Sequence, residues 1–216
     1  MSSALPVGPV VVSAQNGIDN PDVLAERHPR VIPTVVRVGC RRLDPVTVRH
    51  TSSGWLITDD AALAGWLAER GVRAELVADV SVEQWTKLAA NVCNNSLTAL
   101  LDCSTGALRE HPATAALIDT MLAEVAAVAV AAGVPAVQAG AIPDRVRAVL
   151  LSLPYDNSTS MRDDRGAGRA LEVDALSGAV IRRAEAHRVS VPAVSAIDAL
   201  IRWLSDALSA APPAGG

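Results

Sequence analysis

The chain has 216 residues, half of them apolar, and a formal net charge of −4 with histidines neutral. That length and apolar content suffice for a buried core, and the acidic balance excludes a general electrostatic attraction to nucleic acid or to an anionic membrane surface. A small anionic ligand would need a local positive group.

The first seventeen residues carry neither the basic start nor the long apolar run of a secretory signal, and no uninterrupted span of transmembrane length follows. The expectation is a cytoplasmic protein with no membrane partner. Val10 to Val12 is a short β-branched run closed by the turn signal Asn16-Gly17. Pro21 to Arg27 reads as a short helix with Asn20 as its cap. Val31 to Val38 reads as a second strand, and Val46–His50 with Trp55–Thr58 as a hairpin around Ser52, Ser53 and Gly54. Asp60 to Arg70 has helical spacing, with Leu63, Trp66 and Leu67 on one face, and Gly71 stops it before the strand-like Arg73–Val77.

Near residue 80 the character changes to long helices. Ser81 with Gln84 resembles a capping box opening a helix that runs to about Leu101. Ala113 to Ala132 is Ala-rich and ends at Gly133 with Pro135 beyond. Pro143–Leu153, Leu171–His187 and Ala193–Leu208 are the remaining helices, and the terminal APPAGG is expected to be a disordered tail. With Phe absent and Tyr present once, the core is aliphatic helix packing. Cys40, Cys93 and Cys103 fall in no metal-binding pattern, so they read as reduced thiols packed as small apolar groups and no metal site is expected. The domains are therefore 1–80, 81–209 and a tail, 210–216.

Two clusters carry polar chemistry. Lys87, Asn91 and Asn95 lie at i, i+4 and i+8, and each four-residue step rotates only about 40° around a helix axis. They form one stripe on a helix otherwise built for burial. Asparagine is a poor helix-interior residue because its amide competes for backbone hydrogen bonds, yet Asn91, Asn94 and Asn95 crowd into a turn and a half. A solvent-facing helix side is the bland reading, although such faces usually carry Glu, Gln and Arg. The second cluster is Asp156 to Met161, followed by Glu172 and Asp174; its Ser, Thr and Asn residues can equally cap a short following helix.

The runs K-L-A-A-N-V-C-N-N-S-L-T-A-L-L from Lys87, N-S-T-S-M-R-D-D from Asn157 and R-A-L-E-V-D-A-L-S-G-A-V from Arg169 resemble successive signatures of the ketopantoate reductase C-terminal domain. V-V-S-A-Q-N-G-I-D-N and V-R-H-T-S-S-G, in the first third, resemble the end of that family's nucleotide-binding domain. The resemblance implies an α/β remnant of a Rossmann domain followed by an all-α helical domain of the 6-phosphogluconate dehydrogenase C-terminal type. It also implies reduction of a 2-oxoacid, such as 2-dehydropantoate to pantoate, with hydride from NADPH. Lys87 would then be the general acid, Asn91, Asn95 and Asn157 would orient substrate, and Ser160 would bind its carboxylate. Glu172 would hold Lys87 and a substrate hydroxyl in register, and Asn16 would sit at the nicotinamide edge.

One family element is not in the sequence. A dinucleotide site opens with strand, G-x-G-x-x-G turn and helix, and the only G-x-G here, Gly166-Ala167-Gly168, follows no strand. The phosphate-binding motif is absent, so the expectation is an incomplete reductase. Its missing segment would be supplied upstream or in trans, and a homodimer is a further expectation. The alternative is a relative without redox activity that binds a small acid or acts without a cofactor through Lys87 and Glu172. An inert scaffold or dimerisation module is a third reading, and it gives no reason for the polar stripe.

Overall fold

The computed structural model describes residues 10–42, 44 and 46–210, and the chain divides into two compact units, Met1–Gln84 and Trp85–Gly216. The expected disordered tail falls on residues 211–216, outside the described residues.

The first unit is α/β. β1 (Val11–Ser13) leads through α1 (Asn20–Ala25) to β2 (Val31–Pro33), which pairs parallel to β1 with Val12 opposite Ile32. A parallel pair cannot be closed by a two-residue turn, so a helix must make the crossover. β3 (Val35–Val36) follows, then β4 (Gly39–Arg42) and β5 (Val48–Ser52), an antiparallel pair of their own. β6 (Leu56–Thr58), α2 (Ala61–Ala68) and β7 (Ala74–Leu76) make a second parallel crossover, and β3 joins β6 antiparallel to give the order β3-β6-β7. Val35, Ile57 and Val80 form a buried cluster under Trp55 and Val77.

Four expectations for this unit change. The run Val31–Val38 is two strands in two sheets, because Pro33 has no N–H to extend a ladder and the chain redirects after Thr34, whose N–H still reaches the Ser13 carbonyl. The hairpin between Val46–His50 and Trp55–Thr58 does not form. Gly54 presses on the Arg37 carbonyl, where a Cβ would come within 1.8 Å, and the Arg37 N–H donates to the Trp55 carbonyl at 2.9 Å. β5 therefore pairs with β4, and β6 with β3. Trp66 is exposed with Arg70 stacked on its ring, leaving Leu67 as the buried residue of α2. Asn20 does not cap α1; it is the first helical residue and its side-chain amide donates back to the Asn16 carbonyl.

The remaining helices are α3 (Val80–Ala90), a π-helical turn at Asn91–Asn95, α4 (Ser96–Leu101), α5 (Thr105–Glu110) and α6 (Pro112–Ala131). They are followed by α7 (Ala136–Gly140), α8 (Ile142–Ser152), α9 (Ser160–Gly166), α10 (Ser177–His187) and α11 (Pro192–Ala210). The expected Ser81 capping box is not the start of α3. Carboxylates take that role, with Asp79 accepting from the Ser81 N–H at 2.9 Å and Asp59 from the Val80 N–H at 3.3 Å, where an anion also meets the positive helix end.

α6 is the centre of the second unit, touching α5, α7, α8, α10, α11 and the π turn. By length and composition it is apolar enough to cross a membrane, but Met121, Leu122, Val125 and Val128 are buried under its neighbours, as in the core helix of a bundle. Each such side chain contributes about 1.5–3 kcal/mol by leaving water. Glu124 of the same helix accepts from the Ala193 and Val194 N–H groups, both at 2.9 Å, and caps α11. Cys93 fills this core, and burial pushes its thiol far above the usual range. Cys103 is half-buried and Cys40 exposed, so the core-filling expectation fails for Cys40.

Candidate functional site

Lys87 stands half-buried in the last turn of α3, and Asn91 opens the π turn, also half-buried. Asn94 and Asn95 are buried. In a π turn the hydrogen bonds run from i to i+5, so each turn holds more residues than an α turn. The step from Asn91 to Asn95 is then closer to one full turn than the α-helical spacing suggests, and the polar stripe is straighter. Such turns recur at functional sites. The Asn94 Oδ1 and Ser96 Oγ atoms are buried and meet no partner among the described residues. A buried, unmet polar atom costs about 1–3 kcal/mol, so neither is there for stability.

α9 packs on α4 and on the π turn, and Ser160 is its exposed first residue. Thr159 caps α9, accepting from the Arg162 N–H at 3.3 Å, and its hydroxyl lies 2.8 Å from that of Thr98. At the other end of α4, Arg165 donates to the Ala99 and Leu100 carbonyls, and Arg162 to the Asp102 carboxylate at 3.0 Å and carbonyl at 3.3 Å. Two guanidiniums thus satisfy the carbonyl end of α4, where positive charge is favoured. The Arg162 guanidinium, followed by the charge of Arg165, holds the Asp102 carboxyl below its usual range.

Asn157 is half-buried and tied to α5: its side-chain amide donates to Thr105 Oγ1 at 3.0 Å, and its carbonyl accepts from the Thr105 N–H. Its Nδ2 is committed to shaping the loop. The expectation of helix from Leu171 fails, since 169–176 is irregular and α10 begins at Ser177. Glu172 is exposed on that segment. The segment is pinned by Asp174, which pairs with Arg202 at 2.8 Å; Arg202 in turn holds the buried Asp198, which accepts from Ser177. Gly178 belongs to this junction, because a Cβ there would lie 2.8 Å from the Arg202 guanidinium.

Asn16 belongs to the first unit, half-buried in the turn after β1, next to Gly17 at φ 87°. None of the three β-to-α turns of that unit fits a pyrophosphate; at the start of α3 the Asp79 and Asp59 carboxylates already take the Ser81 and Val80 N–H groups. The start of α1 carries Asp19 and Asp22, and at the start of α2 the Asp60 carboxylate already occupies the Leu63 N–H. Carboxylates take the place that phosphate oxygens need. Sequence reasoning missed Thr98, four residues after Asn94; Thr159 lies in the Asp156–Met161 cluster, whose expected capping role it takes at the start of α9.

Residues 79–205 match the family model described as ketopantoate reductase PanE/ApbA C terminal, and residues 2–62 match that described as ketopantoate reductase PanE/ApbA. The chain belongs to the ketopantoate reductase family. It is 32% identical over 206 residues to the 2-dehydropantoate 2-reductase of Halobacterium salinarum, covering 90% of this chain and 67% of that protein. It thus spans about two thirds of this relative's length. The crystal structure of a PanE/ApbA family ketopantoate reductase from Ralstonia eutropha JMP134 superposes with a TM-score of 0.85 at 31% identity, over 97% of this chain and 71% of that one. A D-mandelate dehydrogenase in complex with NADH shares the fold, with a TM-score of 0.86 at 21% identity over 94% of this chain and 72% of that one. The α/β unit and the all-α unit are therefore the two fold types of ketopantoate reductases, the first as a part of a Rossmann domain.

Proposed function

We propose that this ketopantoate reductase chain carries the substrate-binding and proton-donating side of an NADPH-dependent 2-oxoacid reductase, with 2-dehydropantoate as substrate and pantoate as product. The supporting observation is the π turn at Asn91–Asn95, which follows Lys87 directly on the helix and against which α9, the helix that Ser160 opens, packs. A bound nicotinamide would supply hydride to C2 of the oxoacid, and Asn16 is the residue that the family resemblance assigns to it. The Lys87 ammonium faces the carbonyl oxygen, stabilises the negative charge that develops there and delivers the proton that makes it a hydroxyl. Asn91 and Asn95 orient the substrate through their amides, Asn157 shapes the adjoining loop, Ser160 binds the carboxylate, and Glu172 holds the Lys87 ammonium and a substrate hydroxyl.

The acidic β-to-α turns favour a second reading for these 216 residues by themselves, in which they bind the small acid and hold NADPH poorly. Calorimetry with NADPH on the chain, and a nicotinamide-absorbance assay on the chain preceded by a Gly-rich strand–turn–helix segment, separate the two. Weak or no NADPH binding is expected for the chain alone. Micromolar binding corresponds to about 8 kcal/mol and would show that other residues hold the pyrophosphate. In the extended protein Lys87→Ala should lower turnover by roughly a hundredfold or more. An unchanged rate would remove Lys87 from the reaction.

A further inference from the structure

We infer that Thr98 and Thr159 are positioning residues that hold the Ser160 end of α9 in register with the Asn91–Asn95 turn through a one-way chain of hydrogen bonds. The inference rests on the reading of Asn91, Asn95 and Ser160 as substrate-binding residues. Its direction follows from counting protons. Thr98 Oγ1 lies 2.7 Å from the Asn94 carbonyl oxygen, 3.2 Å from that of Asn95 and 2.8 Å from Thr159 Oγ1. A carbonyl has no proton to give, so the single hydroxyl proton of Thr98 goes to the π turn. Thr159 must therefore donate to Thr98, and its own oxygen accepts from the Arg162 N–H. The chain runs from Arg162 N–H to the Thr159 hydroxyl, to the Thr98 hydroxyl, to the carbonyl end of the π turn.

Both hydroxyls are buried, Thr98 fully and Thr159 to within 6%. Bulk water cannot replace a link that is removed, unlike the more exposed Arg162–Asp102 contact on the same helix. Ser160 follows Thr159 directly, so its Cα lies about 3.8 Å from the Cα of the residue whose hydroxyl this chain holds. The two links are not equivalent. Removing the Thr159 hydroxyl loosens the start of α9 but leaves Thr98 bonded to the π turn, whereas removing the Thr98 hydroxyl takes the partner from both.

The test uses ¹⁵N-labelled protein as wild type, Thr98→Val, Thr98→Ser and Thr159→Ala, following the Asn91 and Asn95 side-chain amides and the Arg162 backbone amide by NMR, with pantoate as the calorimetric probe. Thr98→Val should displace all three signals and weaken pantoate binding about tenfold. Thr98→Ser keeps the hydroxyl and should restore the signals and an affinity within about twofold of wild type, which a purely space-filling role would not predict. Thr159→Ala should displace the Arg162 signal and weaken pantoate while the Asn91 and Asn95 amides stay in place. Asn amides displaced as far by Thr159→Ala as by Thr98→Val would overturn the direction. Unmoved signals in Thr98→Val, or wild-type pantoate affinity in it, would overturn the inference. If Thr98→Val does not fold, the Thr98→Ser and Thr159→Ala pair decides by the same signals. If wild type itself binds no pantoate, the substrate reading falls, and the amide signals alone still decide whether the chain of bonds sets the register.

Discussion

Two glycines of opposite kind show what single residues contribute. Gly106 donates its N–H to the Tyr155 carbonyl at 2.9 Å, and a Cβ on it would come within 2.5 Å of that same oxygen and of the tyrosine ring. Backbone cannot swing aside as a flexible side chain can. Gly106→Ala should lower stability by about 1–3 kcal/mol, read as a lower urea midpoint at unchanged slope, and push on the loop that carries Asn157. Gly65 lies inside α2 with open space where a Cβ would be. Gly65→Ala should stabilise by about 0.5–1 kcal/mol, because alanine loses less backbone entropy in a helix. A destabilised Gly65→Ala would mean that α2 is not the regular helix described.

At the scale of elements, the π turn and α9 matter most, and both depend on neighbours. α9 has only seven residues, too short to persist alone, so its helicity comes from the Thr159 cap and the Arg162 and Arg165 contacts to α4. The Asp102 carboxyl sits below its usual range because Arg162 bonds it. A group lowered in the folded state stabilises above its unfolded value and loses that contribution as pH falls through the folded value. Wild type should therefore exceed Asp102→Asn in urea midpoint near neutrality, with the gap closing below about pH 4. Because Asp102 is exposed and its pairing is screened, the gap should also shrink in high salt. A gap that persists in acid would show that the carboxylate charge is not its cause, and asparagine tolerates the left-handed backbone at φ 50° as well as aspartate does.

On the scale of the molecule, the first unit holds a parallel sheet in an unusual state. Among the described residues β1 pairs only with β2, and α1 covers one face of that pair. Val10 and Val12 alternate onto the other face and are exposed. Parallel strands are normally covered on both faces, and an open edge with apolar residues is a template for association. Light scattering on the 216-residue chain should show self-association that Val12→Lys reduces. A monomer at all concentrations would mean that this surface is covered within the chain.

How much was legible from sequence differs between the two units. In the second, the 3.6-residue periodicity, the stop at Gly133 and the crowding of Asn91, Asn94 and Asn95 are local signals, and α6, α8 and α11 lie within one or two residues of where they were expected. The motifs that place the chain in the ketopantoate reductase family are local in the same sense. In the first unit the runs of β-branched residues marked strands but not partners. Whether β6 lies beside β5 or β3 is decided by Gly54 against Arg37, a contact between residues 17 apart that no periodicity encodes. Two features of the helical unit were equally hidden. A π turn and an α turn share the same residue preferences, and the bond between Thr98 and Thr159 spans 61 residues. Local sequence signals carried the family, the long helices α6, α8 and α11 and the identity of the polar residues. Strand pairing, the π geometry and the Thr98–Thr159 link came from the folded chain alone, because they rest on packing and on contacts between segments remote in sequence.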